Sequence, residues 1–425
     1  MKKALNVFGF FAFFLFPILL FFLVVSTHSA ALIGGTLQIV VALLFGLCAG
    51  YIVIYGILSK GFKKSFRKVI LIILIVLSFL GSIALFVLFY GPVKTFSEWY
   101  IITGMDTMSH NYLVKWFYSD EEINKVYKAN YIVEVDEEQD EELIKTDEKV
   151  YSNDVLEELD DVIKNETNGI LVDDERYCVI SMTVNGQPAY LALAYDPSKV
   201  ILGHTNQSVG QYVTKQAQRY GALLAVNGGG FHDPGANSSG GNPLGLTISE
   251  GQVISKDKSS SRANGGLIGL NKDNKMVLIK KIKAQEALDQ GIRDACVWGP
   301  FLVVNGKSLY VSGNGGYGTS ARTAMGQRED GTIIFLVVDS SSRRTKGATM
   351  KQLADIMLKF GAINAANLDG GTSSVIVAPE DIALQCNANA KHDKSKSSYM
   401  IINDPIDSTF AHKTRPIATS WLIMP

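Results

Sequence analysis

Residues 321–339 read ARTAMGQREDGTIIFLVVD, and this stretch decides the predicted fold because its second half is a long apolar run ending in a carboxylate. We expect Arg322 to lie just inside a strand that continues through TIIFLVVD. Further short strands are predicted at YCVISMTV (177–184), PAYLALAYD (188–196), KVILGHT (199–205), GALLAVNG (221–228), LIGL (267–270), MVLIKKI (276–282) and FLVVNG (301–306). Clear helices interrupt them only at 210–220 and 349–360. Short strands joined by Gly-rich turns, with few helices, predict a strand-rich α+β fold.

Ahead of this domain, three apolar runs at about 7–25, 32–58 and 69–90 are long enough to cross a bilayer as helices. The first could be a signal peptide, but its length and the two runs that follow favour a retained helix. The loop KGFKKSFRK between the second and third runs is basic, whereas the loop between the first and second has no Lys or Arg. The positive-inside rule therefore predicts a multi-pass cell-membrane protein in contact with lipid, with a cytoplasmic N-terminus and an extracellular C-terminal domain.

Three regions follow from these patterns. Residues 1–92 are predicted to form an all-α transmembrane region of three helices, 93–175 an extracytoplasmic helical and acidic connector, and 176–425 the globular domain. In the connector, Ser119 and Glu122 have the spacing of a capping box at the start of a helix. A second helix is expected near 153–164, and the acidic stretch 134–148 is interpreted as a solvated surface.

The net charge of −1 and the cysteine pattern exclude some functions. Without an overall basic field, nucleic acid is not an expected partner. Cys178, Cys296 and Cys386 match no zinc or redox spacing. One disulfide among them is possible, and buried free thiols are the alternative.

Four clusters of polar residues could carry chemistry. The first is AVNGGGFHDPG, 225–235, where successive glycines allow close backbone approach to a ligand and leave amides to hold an anion. Asn227, His232 and Asp233 would project from this loop. A Gly-rich turn with solvent-facing polar groups is the alternative.

The second cluster is YGTSARTAMGQ, 317–327, in which Arg322 and Thr323 are suited to binding phosphate or carboxylate. A structural salt bridge of Arg322 is the alternative. The third is Asp339 at the end of IIFLVV, and the fourth is NLDGGTSS, 367–374, which contains Asp369 at a Gly-rich bend. Two carboxylates at strand ends are suited to paired acid/base work. Ser373 lacks an obvious base nearby in sequence and is a poor candidate nucleophile.

From about residue 196 to the C-terminus, the sequence resembles the phosphodiester glycosidase family. The matching stretches are GALLAVNGGGF, GNPLGLTISEGQVI, WGPFLVVNGK, ARTAMGQREDGTIIFLVVD, GATMKQLADIMLKFGAINAANLDGGTSS and TRPIATSWLI. The sequence departs from the family at Thr372, where another glycine is usual. The resemblance implies hydrolysis of the bond between a sugar C1 and phosphate in a glycan phosphodiester of the N-acetylglucosamine-1-phosphodiester kind, in cell-envelope or exopolysaccharide metabolism.

In that reaction we expect Asp369 to be the nucleophile or base, Asp339 the second carboxylate and His232 an acid or a phosphate contact. The residues expected to bind substrate or phosphate are Asn227, Gly228, Gly229, Asp233, Arg322, Thr323, Gly370, Gly371, Ser373 and Arg415. No metal site is predicted, although Asp and Asn groups in Gly-rich loops could bind calcium. The alternative function is a non-catalytic glycan-binding or assembly factor in polysaccharide export.

Overall fold

The structure is a computed structural model and describes residues 89, 94–105, 111–232, 240–256, 265–340, 347–406 and 414–425. The chain divides into two compact units, Met1–Ala129 and Asn130–Pro425. The three predicted membrane runs, apart from Phe89, lie outside the described residues, and so does Asp233. Among the helices that the structure does describe, none is both long and apolar enough to cross a membrane.

The first unit contains short helices around a small aromatic core. They are α1 (Lys94–Met105), α2 (Asn111–Lys115) and α3 (Asp120–Ala129). Ile101, Val114 and Tyr118 are buried between them. The predicted capping box is confirmed, because the Ser119 amide donates to Glu122 Oε2 at 2.8 Å and the Glu122 amide donates to Ser119 Oγ at 3.2 Å.

The second unit is rich in short strands. Its helices are α4 (Ser152–Glu158), α5 (Asp160–Glu166), α6 (Val213–Tyr220), α7 (Ala284–Asp289), α8 (Met350–Lys359) and α9 (Glu380–Cys386). Its strands are β1 (Tyr131–Val133), β2 (Gly169–Asp173), β3 (Tyr177–Val184), β4 (Gln187–Ala194), β5 (Val200–His204), β6 (Leu224–Asn227), β7 (Phe231–His232), β8 (Asn242–Pro243), β9 (Leu246–Ser249), β10 (Gln252–Lys256), β11 (Gly266–Asn271), β12 (Met276–Ile279), β13 (Ile292–Trp298), β14 (Phe301–Val304), β15 (Lys307–Ser308), β16 (Tyr310–Ser312), β17 (Arg322–Arg328), β18 (Ile333–Val338), β19 (Ala362–Asn367), β20 (Ile376–Pro379), β21 (Tyr399–Ile401) and β22 (Thr419–Ile423). Each stretch predicted as a strand contains one, which confirms the α+β fold of this unit.

An eight-stranded antiparallel sheet is the centre of the second unit, with the order β15-β14-β19-β17-β18-β4-β3-β2. Two five-stranded sheets accompany it, β21-β20-β6-β22-β5 and β10-β9-β13-β11-β12. One core cluster joins all three sheets and includes Phe335, Trp421 and Ile268. The opposite face of the large sheet packs against α4, α5 and α8 through residues such as Leu353 and Leu159. Burial on both faces explains why β18 reads IIFLVV without polar alternation.

Two expected boundaries differ from the structure. Arg322 does not share a strand with TIIFLVVD, because β17 and β18 form an antiparallel hairpin around the polar turn that contains Gly331. The φ of Gly331 is 90°, a left-handed value that glycine adopts without strain.

The second unit begins at Asn130 rather than 176, because β1 pairs with β16 and β2 pairs with β3. The helix expected near 153–164 is two helices, α4 and α5, and the short helices α7 and α9 were not predicted.

The cysteines of the second unit are thiols. Cys178, Cys296 and Cys386 are all free and buried. Burial raises the pKa of each to about 12, so that each stays protonated at neutral pH. This result confirms the alternative of buried free thiols over a disulfide.

Candidate active site

Asn227 joins three segments at one edge of the second unit. Its side chain is fully buried at the end of β6. Its Oδ1 accepts hydrogen bonds from Thr323 Oγ1 at 2.7 Å and from the Val375 amide at 3.1 Å. Its Nδ2 donates to the carbonyl of Asp369 at 2.6 Å. Asn227 and Thr323 therefore hold the turn after β19, and their burial does not support the expected direct contact with phosphate.

Asp369 combines a fixed backbone with a partly exposed side chain. Its amide donates to the Gly228 carbonyl at 3.1 Å, while its carbonyl accepts from Asn227. The carboxylate Oδ1 accepts from the Gly370 amide at 2.9 Å. These bonds fix the backbone on either side of Asp369, a residue that is partly exposed.

Arg322 lies beneath this turn as a buried cation, with only 4% of its surface exposed. Its Nη2 donates to the Tyr317 carbonyl at 2.6 Å and its Nε to the Ala348 carbonyl at 3.3 Å. A Cβ on Gly370 would lie 3.8 Å from Arg322 Nη1, which shows how closely the guanidinium approaches the turn. A buried positive charge at this depth favours an anion at the turn, since the surrounding dielectric is low.

The amides of Gly370 and Gly371, residues expected to bind substrate or phosphate, make internal hydrogen bonds. The Gly371 amide donates to the Ala321 carbonyl at 2.8 Å, and the Gly370 amide bonds to Asp369 itself. Gly371 has φ 62°, the left-handed region that favours glycine. Ser373 is only 2% exposed, so the structure does not support it as a nucleophile or a ligand contact.

The glycine run after Asn227 is also occupied by internal contacts. The amides of Asn227, Gly228 and Gly230 donate to the carbonyls of Val375, Thr419 and Val297, and the Gly229 amide donates to Thr419 Oγ1. A Cβ on Gly228 would lie 2.5 Å from Thr419 Oγ1. The expected anion cradle at Gly228 and Gly229 is therefore wrong: these glycines allow close packing against neighbouring strands rather than a ligand.

Asp339 lies at the same edge of the large sheet as Asp369. Both β18 and β19 run antiparallel to β17, so both strands end on the side where Arg322 begins β17. Asp339 is 3% exposed, and burial raises the pKa of its carboxyl group to about 6. Asn403 Nδ2 donates to its Oδ1 at 2.7 Å, and the Asp404 amide donates to its Oδ2 at 2.9 Å.

Asn403 was not predicted from the sequence, although it links this carboxylate to the chain that follows the Asp369 turn. Its Nδ2 also donates to the Ser374 carbonyl at 3.1 Å, and its Oδ1 accepts from the Ile376 amide at 3.0 Å. Asn403 follows the short apolar strand β21, so the pattern that identified Asp339 and Asp369, a polar residue at a strand end, also marks it.

Arg415 is a partly exposed cation on the other side of the Asp369 turn. Its Nη1 donates to Thr372 Oγ1 at 3.2 Å, and its guanidinium lies 4.9 Å from the centre of the Phe231 ring. The departure from the family pattern at Thr372 therefore supplies the hydroxyl that Arg415 contacts. His232, next to Phe231, is exposed at the wall of a cavity, and no described contact joins it to Asp369.

The described residues contain no group of three or more His, Cys, Asp or Glu side chains that could hold a metal ion. The candidate site consists of the Asp369 carboxylate on its turn, with the Arg322 guanidinium beneath the turn and the Arg415 guanidinium beside it. Calcium binding stays a prediction of the sequence.

Comparisons with known proteins agree with the resemblance. The phosphodiester glycosidase family model (NAGPA) matches residues 220–424. The SPbeta prophage-derived uncharacterized protein YomE of Bacillus subtilis (strain 168) is 29% identical over 185 residues, which cover 42% of this chain and 27% of that protein. N-acetylglucosamine-1-phosphodiester alpha-N-acetylglucosaminidase of Bos taurus is 28% identical over 186 residues, which cover 39% of this chain and 33% of the relative.

Among solved structures, the zebrafish N-acetylglucosamine-1-phosphodiester alpha-N-acetylglucosaminidase catalytic domain, auto-inhibited by its pro-peptide, is 20% identical with a TM-score of 0.44. That alignment covers 59% of this chain and 82% of the other. The chain thus spans a third or less of the length of the curated relatives it matches. Residues 220–424, which contain Asn227, Arg322, Asp369 and Arg415, match the phosphodiester glycosidase family model.

Proposed function

We propose that this protein hydrolyses the bond between C1 of a sugar and the phosphate of a glycan phosphodiester, such as an N-acetylglucosamine-1-phosphodiester. The main support is that the family match at 220–424 contains the whole arrangement around Asp369. Curated relatives from cattle, mouse and human bear the name N-acetylglucosamine-1-phosphodiester alpha-N-acetylglucosaminidase, at 26% to 28% identity.

Asp369 is the carboxylate proposed to act on the sugar. During cleavage the bond between C1 and the bridging oxygen breaks, and that oxygen leaves with the phosphate as a phosphomonoester. The oxygen of water becomes the new C1 hydroxyl, and one proton of that water passes through the carboxylate to solvent. A carboxylate close to C1 also stabilises the positive charge that develops on the sugar. The rigid backbone at Asp369 supplies the fixed geometry that such a step needs.

The departing phosphate carries negative charge, so it needs cations more than it needs a proton. Arg415 is the proposed direct contact because it is partly exposed and oriented by Thr372 and Phe231. Arg322 is proposed to act from below the turn through its charge, since its described hydrogen bonds go to backbone carbonyls. Fixed charges of this kind stabilise a developing anion without reorganising during the reaction.

Asp339 is proposed to hold the site rather than to transfer protons. Its two oxygens accept from Asn403 and from the Asp404 amide, and Asn403 in turn bonds to the Ser374 carbonyl. The roles expected for His232, as an acid or a phosphate contact, stay predictions of the sequence, since no described contact joins His232 to Asp369.

We also propose that the enzyme is anchored in the cell membrane with its C-terminal unit outside, acting on envelope glycan or exopolysaccharide. The support is the sequence alone, through three apolar runs and the basic loop at 60–68. Protease added to intact cells should degrade the C-terminal unit and spare an epitope tag placed at Met1. Protection of the C-terminal unit in intact cells would contradict this orientation.

The test of the activity is a hydrolysis assay with the full chain, purified in detergent, on an N-acetylglucosamine-1-phosphodiester. Release of free sugar together with a phosphomonoester is expected. Asp369→Asn should lose the activity, while Asp355→Asn, the same change on an exposed face of α8, should retain it. If the folded chain releases no sugar from this or other sugar phosphodiesters, the proposal fails, and the non-catalytic glycan-binding function becomes the better account.

A further inference from the structure

A cavity of about 660 Å³ opens beside His232, outside the hydrogen-bonded cluster around Asp369. Its volume lies within the range of roughly 300–1,000 Å³ that is usual for ligand sites. The residues that line it include His204, Gln207, His232, Asn242, Ile254 and Ala418. No step of the proposed hydrolysis uses this space.

The described wall of the cavity is formed by amide, hydroxyl, imidazole and apolar groups. It contains no Asp, Glu, Lys or Arg side chain among the described residues. Burial lowers the pKa of His204, so its ring is neutral, and Nδ1 of that ring faces Ser249 Oγ at 3.3 Å. The side chains of Gln207 and Asn242 form no hydrogen bonds within the described part of the chain and are exposed to solvent. Amide and imidazole groups beside apolar Ile254 and Ala418 suit a neutral ligand that has both hydroxyl groups and C–H faces.

Two short connections place this cavity next to the Asp369 turn. Ala418 precedes Thr419, which accepts from the Gly228 amide, and the Gly228 carbonyl accepts from the Asp369 amide. On the other side, His232 follows Phe231, whose ring contacts the guanidinium of Arg415. The guanidinium of Arg415 therefore lies at the turn, and the amides of Gln207 and Asn242 lie at the cavity, so a ligand that spans both should be charged at one end and neutral at the other.

We propose that the cavity binds uncharged sugar residues of a glycan chain that extends from the scissile phosphodiester, while the phosphate lies at Arg415. The proposal rests on the proposed function and deepens it, because it makes a phosphate-linked oligosaccharide or polymer the preferred substrate. A small phosphodiester lacking those sugar residues leaves the cavity unused.

The first experiment measures binding without turnover. Neutral oligosaccharides of N-acetylglucosamine and of glucose are titrated into the full-length Asp369→Asn variant by calorimetry. At least one is expected to bind, and adding Ile254→Trp, which fills the cavity from β10, should weaken that binding by at least about tenfold. Leu384→Trp on α9 is the matched control, since this exposed leucine is not part of the cavity wall and its replacement should leave the affinity unchanged.

The second experiment compares kcat/KM for an N-acetylglucosamine-1-phosphodiester with a methyl aglycone and for one with a neutral oligosaccharide aglycone. The longer substrate should be preferred by the otherwise unaltered chain, and Ile254→Trp should remove that preference while the methyl substrate is still hydrolysed. No binding of any neutral oligosaccharide, or equal losses in both Trp variants, would overturn the cavity proposal even if hydrolysis is observed. Binding without hydrolysis of either substrate would instead overturn the proposed function.

Discussion

The turn after β18 and the turn after β19 each carry an aspartate at the same edge of the large sheet, yet their surroundings differ. Asp339 is almost completely buried, and both of its oxygens accept hydrogen bonds from the segment at Asn403 and Asp404. Asp369 is partly exposed, and its backbone amide and carbonyl bond to Gly228 and Asn227. The comparison teaches that position at a strand end does not fix the surroundings of a carboxylate: Asp339 is enclosed by the fold, whereas the partly exposed Asp369 is the one proposed to act on substrate.

The largest effect should come from Asp369→Asn. Losing the carboxylate proposed to act on C1 should lower kcat by about 10²–10⁴-fold. The free energy of unfolding should change little, since the backbone bonds to Asn227 and Gly228 do not depend on the side chain. Steady-state kinetics and urea unfolding of the same preparation measure both quantities. A variant with normal kcat would remove Asp369 from the mechanism.

The pH dependence of stability should identify Asp339 as the buried partner in the comparison. Its pKa of about 6 in the folded state lies above the ordinary 3.8, so the unfolded chain loses this proton first as pH rises. The contribution to stability is complete below about pH 4 and is lost as pH rises to about 6, by an amount on the order of 3 kcal/mol. Between pH 4 and pH 7, the unfolding free energy should therefore fall by that much more in the unaltered protein than in Asp339→Asn. An equal fall in both proteins would contradict the raised pKa.

Gly228→Ala should show whether the glycine run at 228–230 packs against neighbouring strands or binds an anion. The new methyl group would meet Thr419 Oγ1 at 2.5 Å, and overpacking of this kind costs about 1–3 kcal/mol of folding free energy. The control is Ala217→Gly on α6, which is expected to lower the free energy of unfolding by about 1 kcal/mol. Gly221→Ala would not serve, because Gly221 has φ 69° and an alanine there would be strained. If the unfolding free energy is unchanged and the substrate affinity is lost, the result would instead support anion binding by the glycine run.

The smallest effect should come from Thr323→Val, which keeps the shape of the side chain and removes the donor to Asn227 Oδ1. The expected loss of stability is about 1 kcal/mol. A slight shift of the Asp369 turn should lower kcat while leaving KM nearly unchanged, because the contacts to substrate are intact. Thr323→Ser, which retains the hydroxyl, should restore kcat. A rise in KM with normal kcat would instead indicate that Thr323 touches the substrate.

Much of the fold could be predicted from local sequence, because a strand such as β18 is a continuous apolar segment that follows Gly331 and Thr332 and ends before Asp339. The same local pattern placed Asp339 and Asp369 at strand ends. The pattern did not distinguish the two aspartates, because Asn403, which donates a hydrogen bond to the buried Asp339, lies far along the chain.

The glycine run was misinterpreted for a related reason. The partners of the Gly228 and Gly230 amides, Thr419 and Val297, come from strands that are distant in sequence. An amide whose acceptor lies in another sheet is indistinguishable, in sequence, from one left open for a ligand. Arg322 likewise donates to the backbone carbonyls of Tyr317 and Ala348, and a sequence motif does not indicate such backbone acceptors.

The central claim, that the bond from C1 to oxygen is cleaved, is tested most directly by hydrolysis in water labelled with heavy oxygen. The full chain is incubated with an N-acetylglucosamine-1-phosphodiester, and both products are analysed by mass spectrometry. The account predicts that the label is found at the C1 hydroxyl of the released sugar and that the phosphomonoester is unlabelled. Label in the phosphate would mean that the bond from phosphorus to oxygen is cleaved, and would contradict a glycosidase mechanism at Asp369.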